Sequence, residues 1–455
     1  MIPPAEVPIA GAGPTGALLA ILLARRGHRV SLYDSRPDPR QSSGESGRSI
    51  NLALADRGIV ALRRAGVYAA IEPALVPMRG RLLHDLAGAT SLQPYGRRPE
   101  EIIHSISRHR LNQALLEVAM RRHGVAAAFE HRLEGADFTA GMASVRDLRS
   151  GCTVALAMNP LLAADGGGSR MRRNMAAAGL TLASEHSLGH AYKELTIPAG
   201  SGGAYRMQFD ALHIWPRGGF MMIALPNEDG SFTATLFLPK DGTPGFGSLG
   251  REDAIEGFLQ ANFPDACELM PDRVAQFQAH PTGSLGTVFA SPWHHAGMAA
   301  LIGDAAHAIV PFHGQGMNAC FEDCLVFDAC VERHRRWEDA FTDFTASRKP
   351  DTDAIAAMAL ENYAEMRERV VDPDFQLQQR LSHELEGRHP DRFIPRYSMV
   401  MFHHEIPYRV ALRRGEIQAQ LLRELTAGVA DLGGVDYARA RREIEARLPP
   451  IGDGA

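Results

Sequence analysis

The sequence contains no Cys-x-x-Cys pair, no Lys/Arg-rich run and no long uninterrupted apolar stretch. Each absence removes a class of protein. The five cysteines, Cys152, Cys267, Cys320, Cys324 and Cys330, are few and odd in number for 455 residues, which argues against a disulfide framework. Cys320 and Cys324 have helical i,i+4 spacing, and are expected to be small buried apolar residues rather than metal ligands. No metal site is expected. A formal net charge of −5 without a basic run argues against a nucleic-acid partner. The N-terminal MIPPAEVPIAGAG has neither a cationic region nor a long apolar core, so no signal peptide is expected. No segment offers the roughly eighteen apolar residues of a membrane anchor. The chain therefore reads as soluble and cytoplasmic. What is present is ordinary globular composition, 45% hydrophobic and 22% charged, in a chain long enough for two or three domains.

The first sixteen residues carry the first positive signal. Val7–Ala10 reads as a short strand, Ala17–Arg26 as an apolar helix, and GAGPTG between them fits G-x-G-x-x-G. Gly11, Gly13 and Gly16 permit a tight turn and close approach of a pyrophosphate to the helix N-terminus. A second strand, His28–Asp34, ends in an acid suited to a ribose hydroxyl. This βαβ unit implies the adenosine half of NAD or FAD without choosing between them. Further on, Arg108 stands before a long helix and is either a phosphate contact or a surface residue. NPLLAADGGGSRMR is a second apolar strand ending in an acid-glycine turn, Asp165-Gly166.

The stretch LIGDAAHAIVPFHGQGMN, Leu301–Asn318, favours a flavin over an ordinary strand–loop–helix with a Gly-rich turn. It reads as a buried strand, a Gly303-Asp304 turn, and a Gly-rich loop opening onto a helix. Asp304 suits a polyol hydroxyl. The amides of Gly314 to Met317 suit the negative N1–O2 edge of a reduced flavin.

Between Ala191 and Pro239 the pattern becomes β-rich, with Asn227-Glu228-Asp229-Gly230 as a hairpin turn. These strands suggest an antiparallel sheet roofing a substrate, where Met221, Met222 and Phe237 are candidate pocket residues or simple core. Beyond Ala319 the chain reads as mainly helical. The expected fold is α/β: a Rossmann-like FAD-binding domain (1–185, returning at 296–348), an antiparallel β-sheet substrate domain (186–295) and C-terminal helices (349–455).

The three cofactor motifs, in this order, resemble the FAD-dependent aromatic-ring hydroxylases with the para-hydroxybenzoate hydroxylase fold. DGGGSRMR is similar to their DGxxSxxR, with Met171 where an aliphatic residue is common. RSINLAL, PMRGRLLH, HIWPR, FMMIALPN, GDAAHAIVPFHGQGMNACFEDCLVFD, NYAEMR and FIPRYSMV narrow the resemblance to the kynurenine 3-monooxygenase branch of that family. The resemblance implies hydroxylation of L-kynurenine with NADPH as reductant and O2 as oxidant, through a flavin C4a-hydroperoxide. The candidate FAD contacts are Gly11, Gly13, Thr15, Gly16, Asp34 and Arg36 at the first turn. Arg48, Ala53, Arg108 and Leu133 are drawn from the following segments. Asp165, Gly166, Asp304, Gly316, Met317 and Asn318 complete the set.

The same resemblance assigns the substrate carboxylate to Arg81 and Tyr95, and the amino-acid end to Asn362 and Tyr397. From the residues alone these are a surface arginine, core tyrosines and a helix-surface asparagine. Phe312 and His313 match the loop beside the flavin and the substrate ring. His313 invites assignment as a base, but an aniline nitrogen already activates its ring, so a pocket role is expected. The rival readings are a same-fold hydroxylase of a substituted kynurenine or another aromatic acid, and a flavin reductase that hydroxylates nothing. The last helices, around Arg409–Arg442, match the family least. Many eukaryotic members carry a C-terminal membrane anchor, and none is expected here.

Overall fold

The computed structural model describes residues 1–41, 51–369 and 372–452. It divides into two compact units. The first contains Met1–Leu75, Ser105–Gly189 and His280–Asp353. The second contains Val76–His104, His190–Ala279 and Ala354–Ala455. The sequence reading had 76–104 in the cofactor domain and 280–295 in the sheet domain. Strand pairing explains the first difference: Gly80–His84 runs parallel to Leu212–Pro216 inside the second unit.

The first unit is built on a six-stranded sheet. Its order is His294–His295, Ala299–Leu301, Leu161–Ala163, Glu6–Ala10, Arg29–Asp34, Ala126–Phe129. All pairs are parallel except that of the His294–His295 edge. Parallel register sets Ala10 beside Ala163, and Ala163 beside Leu301. The turns that follow these three strands therefore emerge together, although the sequence separates them by more than a hundred residues. The helix Pro14–Arg25 is apolar along almost its whole length, with Gly16 through Leu23 buried. It packs against the helices Arg108–His123 and Gly316–Arg333 as well as the sheet, so it has no wet face. Burial of each of its leucines stabilises the unit by about 1.5–3 kcal/mol.

In the second unit the strands Leu182–Ile197, Phe232–Pro239, Met221–Pro226 and Leu212–Pro216 are antiparallel neighbours. Gly80–His84 and then Thr90–Pro94 extend the sheet. The hairpin at Asn227–Gly230 forms as expected: Ser231 O accepts from Asn227 N at 2.9 Å and Gly230 has φ +86°. One sheet face carries Trp215, Met222, Leu236 and Leu195 and packs on the helices Glu252–Asn262, Pro264–Leu269 and Arg273–Ala279. Further along the chain, Pro373–Arg388, Tyr408–Thr426 and Tyr437–Arg447 close around Leu381, Leu385, Leu421 and Ile444.

Candidate active site

In the first unit a cavity of about 390 Å³ opens at the C-terminal ends of the parallel strands. Gly11, Gly13 and Thr15 line it, as do Asp34, Arg36 and Arg108. Leu133, Asp165, Gly166 and Asp304 complete the expected lining. Gly16 lies underneath: a Cβ there would sit 2.0 Å from Gly11 O, and one on Gly11 itself, at φ +104°, would sit 2.2 Å from Ala164 O. Both glycines are required by backbone approach. No side chain caps the helix Pro14–Arg25, whose first turn faces the cavity with Arg36 and Arg108 nearby. An uncapped helix start with arginines nearby suits a phosphate.

Asp34 is buried and fully engaged. Its Oδ2 accepts from Ala12 N at 2.8 Å and Arg36 Nη2 at 2.9 Å. Its Oδ1 accepts from Arg36 N at 2.8 Å and Nε at 3.0 Å. Burial works against the charge, but the Arg36 guanidinium and the two amides hold the carboxyl below its usual range. Asp165 is the converse case. Its Oδ2 accepts from Arg170 N at 2.7 Å, but the buried Oδ1 has no well-formed hydrogen bond among the described residues, and burial raises the Asp165 pKa. An unpartnered buried carboxylate oxygen in the lining wants a hydroxyl or amide donor, as a dinucleotide provides.

A Cβ on Gly303, at φ +63°, would sit 3.0 Å from both Thr15 Cγ2 and Cys320 Sγ, and the next residue, Asp304, heads the helix Asp304–His307. That helix is held from behind by buried charge. His307 Nε2 lies 2.5 Å from Asp323 Oδ2, and Arg348 Nε donates to Asp323 Oδ1 at 2.7 Å. Glu322 bridges Arg348 and the buried Arg57 at 3.0 and 2.8 Å. Despite full burial, His307 and Arg348 hold the Asp323 carboxyl below its usual range.

Other expected cofactor residues have different places. The helix Gly316–Arg333 starts at Gly316 and Met317, and no side chain caps it. The Asn318 side chain serves the protein instead: it accepts from Ala55 N at 3.0 Å and donates to Ala53 O and Gly314 O at 2.8 Å each. Ala53 is thus tied to the loop, outside the cavity lining. Phe312 and His313 are buried in the one-turn helix Pro311–His313, followed by Gly314 at φ +65°. Arg48 lies outside the described residues.

The second unit brings together Arg81, Tyr95 and Tyr397. The Tyr95 and Tyr397 rings stack at 5.5 Å and 14°, and the Arg81 guanidinium lies 4.8 Å from the Tyr397 ring centroid. Arg81 is 8% exposed and Tyr95 4%. Burial opposes the Arg81 charge, which Tyr397 and Glu365 more than restore, and burial pushes both phenols up. Arg81 Nε and the Tyr95 hydroxyl are buried and make no well-formed hydrogen bond among the described residues. A buried guanidinium with a phenol hydroxyl beside it has the donor set that suits a planar anion.

Glu365 went unnoticed in the sequence. Its Oε1 lies 3.5 Å from Arg81 Nη1, in a π-helical turn, Glu365–Arg369, that follows the long helix Trp337–Ala364. The i,i+3 spacing from Asn362 was the available signal. Asn362 is buried, its Nδ2 donating to Met366 Sδ at 3.4 Å.

Met222 is not a pocket residue. Register pairs Leu212 with Arg81, Ile214 with Ile223, and Met221 with Phe237. Alternation then puts Arg81, Met221 and Phe237 on one face of the sheet and Met222 on the other, in the helix-covered core. Of the three candidates, Met221 and Phe237 share the Arg81 face.

The chain matches the family model described as an FAD binding domain over residues 4–328. It is 48% identical over 446 residues to a kynurenine 3-monooxygenase of Stenotrophomonas maltophilia, covering 97% of each chain. It is 47% identical to the kynurenine 3-monooxygenase of Xanthomonas axonopodis pv. citri, covering 98% of this chain and 97% of that one. The chain belongs to the kynurenine 3-monooxygenase family. Members of this family are FAD-dependent monooxygenases, and the cavity of the first unit is lined by residues inside the span that matches the FAD binding domain. Among solved structures, 2-methyl-3-hydroxypyridine-5-carboxylic acid oxygenase has the same fold, with TM-score 0.65 and 19% identity over 84% of this chain and 98% of that one. Pseudomonas aeruginosa PqsL in complex with 2-aminobenzoylacetate gives TM-score 0.64 at 19% identity, covering 80% and 97%. Among the described residues no helix is long and apolar enough to cross a membrane.

Proposed function

We propose that the protein hydroxylates L-kynurenine to 3-hydroxykynurenine. One kynurenine, one NADPH, one proton and one O2 give the hydroxylated product, NADP+ and water. The reading is carried by the buried Arg81 guanidinium beside the Tyr95 and Tyr397 hydroxyls, a receptor for the substrate's amino-acid carboxylate. Gly11, Gly13, Thr15, Asp34, Arg36 and Arg108 hold the adenosine and pyrophosphate of FAD. Asp165 and Asp304 take hydroxyls, and the start of the helix Gly316–Arg333 stabilises negative charge. FAD supplies the acceptance of hydride from NADPH and the activation of O2. The protein supplies position and dryness. Arg81 and Tyr95 fix the carboxylate, while Met221 and Phe237 offer apolar surface on the same sheet face. Exclusion of water keeps activated oxygen from being lost as H2O2.

No residue is needed to deprotonate the substrate. The aniline lone pair directs attack to the ortho carbon, so His313 is a pocket wall rather than a base. Product analysis with kynurenine, ring-substituted kynurenines and NADPH tests the proposal. The expected result is 3-hydroxykynurenine in stoichiometric ratio to NADPH oxidised. Release of H2O2 without hydroxylated product from every substrate would reject a monooxygenase, and preference for a substituted kynurenine would reassign the substrate.

A further inference from the structure

Under the strand that carries Arg81 lies a chain of polar groups that the proposed chemistry does not use. His84 ends this strand and points to the opposite face of the sheet. Its Nε2 lies 2.9 Å from His213 Nδ1, and its Nδ1 lies 2.8 Å from Asp265 Oδ2. His213 Nε2 lies 2.7 Å from the carbonyl oxygen of Gln208. Trp215 Nε1 donates to both Asp265 oxygens at 2.9 and 3.0 Å, and its ring stacks on His84 at 4.1 Å. His84 and His213 are 6% and 1% exposed.

The protons in this chain can be counted. The Gln208 carbonyl only accepts, so His213 Nε2 carries a proton. Burial holds the His213 pKa down at about 4, so its Nδ1 bears a lone pair and must accept. His84 Nε2 is then the donor. At the other end burial opposes the Asp265 charge, but His84 and the Trp215 N–H hold that carboxyl below its usual range. A carboxylate accepts, so His84 Nδ1 donates as well. Both nitrogens of His84 carry protons. The other charged groups nearby are Arg217, whose Nη1 donates to His84 O at 2.9 Å and whose Nε donates to Asn262 O at 2.6 Å, and Asp85. The neighbouring strand Thr90–Pro94 has no ionisable side chain.

We infer that His84 is a buried imidazolium, and that the chain Gln208–His213–His84–Asp265 is a positioning device for Arg81. It pins Gly80–His84 to Leu212–Pro216 and to the helix Pro264–Leu269 at once. In a sheet, a slip of one residue turns every side chain to the other face. A slip here would carry Arg81 into the helix-covered core. The two protons of His84 specify the register that keeps the arginine on the substrate side. This role rests on the reading of Arg81 as the carboxylate receptor.

The test begins with the wild-type holoenzyme, labelled with 15N-histidine and assigned through His84→Gln and His213→Gln. Imidazole correlations near neutral pH are expected to show both His84 nitrogens protonated, and His213 as the neutral Nε2–H tautomer. A neutral His84 overturns the inference, whatever the variants do. In steady-state assays, His84→Gln and Asp265→Asn are expected to raise the kynurenine KM about two- to tenfold, the size of one net hydrogen bond, with kcat little changed. If Arg81→Met raises KM but His84→Gln and Asp265→Asn do not, the positioning role is wrong. If Arg81→Met leaves KM unchanged, it is the Arg81 reading that fails, and the positioning role with it, while the imidazolium assignment is still decided by the spectra.

Discussion

Arg81→Ala isolates the proposed carboxylate receptor. Arg81 is 8% exposed, and its Nε has no well-placed acceptor among the described residues. Water is therefore a poor substitute for what the substrate offers, and the loss should approach the full value of a charge-assisted hydrogen bond. That is about 1.5–3 kcal/mol, or roughly ten- to a hundredfold in the kynurenine KM. Removing the arginine also leaves Glu365 without its partner at 3.5 Å, placing an uncompensated negative charge where the carboxylate must bind. The upper end of the range is therefore expected. Arg81→Lys keeps the charge but not the planar fork, and should fall between wild type and alanine. Steady-state KM, direct kynurenine titration and the ratio of product to NADPH oxidised are the assays, with H2O2 rising as substrate positioning fails. Flavin content should hold, because the FAD cavity is lined by other residues. A KM within a factor of two of wild type, at unchanged flavin content, would refute the assignment.

Three further outcomes follow from the geometry. Gly16→Ala places a Cβ 2.0 Å from Gly11 O, so the turn must move; a cost of about 1–3 kcal/mol, roughly five- to a hundredfold in FAD affinity, is expected and is read by flavin fluorescence on dilution. Asp323→Asn leaves Arg348 and His307 without their shared buried carboxylate and should lower stability by about 3–5 kcal/mol in denaturant titration. Because the Asp323 pKa is depressed in the fold, its contribution is present above the unfolded value and is lost as pH falls through the folded one. The acid loss below about pH 4 should accordingly shrink in this variant. His213, with a folded pKa of about 4, works in the same direction by a different route. The unfolded chain takes up its proton near pH 6.5 and the native state does not, so stability falls by about 3 kcal/mol between roughly pH 6.5 and 4 and is level below, a slope that His213→Gln should remove.

The cofactor half of the molecule was legible because its signals are local. A glycine that tolerates no Cβ and an acid at a strand end are each decided within a few residues, and three such turns could be read without knowing that they meet. Parallel pairing of Glu6–Ala10, Leu161–Ala163 and Ala299–Leu301 then makes one cavity of them. What local reading misjudged was side-chain allocation. Asn318 has the right position for a cofactor contact, yet its amide is spent on Ala53, Ala55 and Gly314, and only its backbone is left for a ligand.

The substrate half resisted for a different reason. Arg81, Tyr95, Asn362 and Tyr397 are spread over more than three hundred residues, and nothing in their immediate neighbours marks them as polar groups of one pocket. Only family resemblance joined them. Within the sheet, Met221 and Met222 are both fully buried, because both faces of the strand are covered. The usual alternation of apolar with polar residues is therefore silent, and the choice between them depends on register with Gly80–His84, a strand more than a hundred residues earlier. The same register sends His84 and Arg81 to opposite faces. One short strand thus carries the proposed substrate arginine above and the doubly protonated histidine below. Such a strand cannot be read as active site or as core alone, because the polar groups on its lower face decide which way its upper face points.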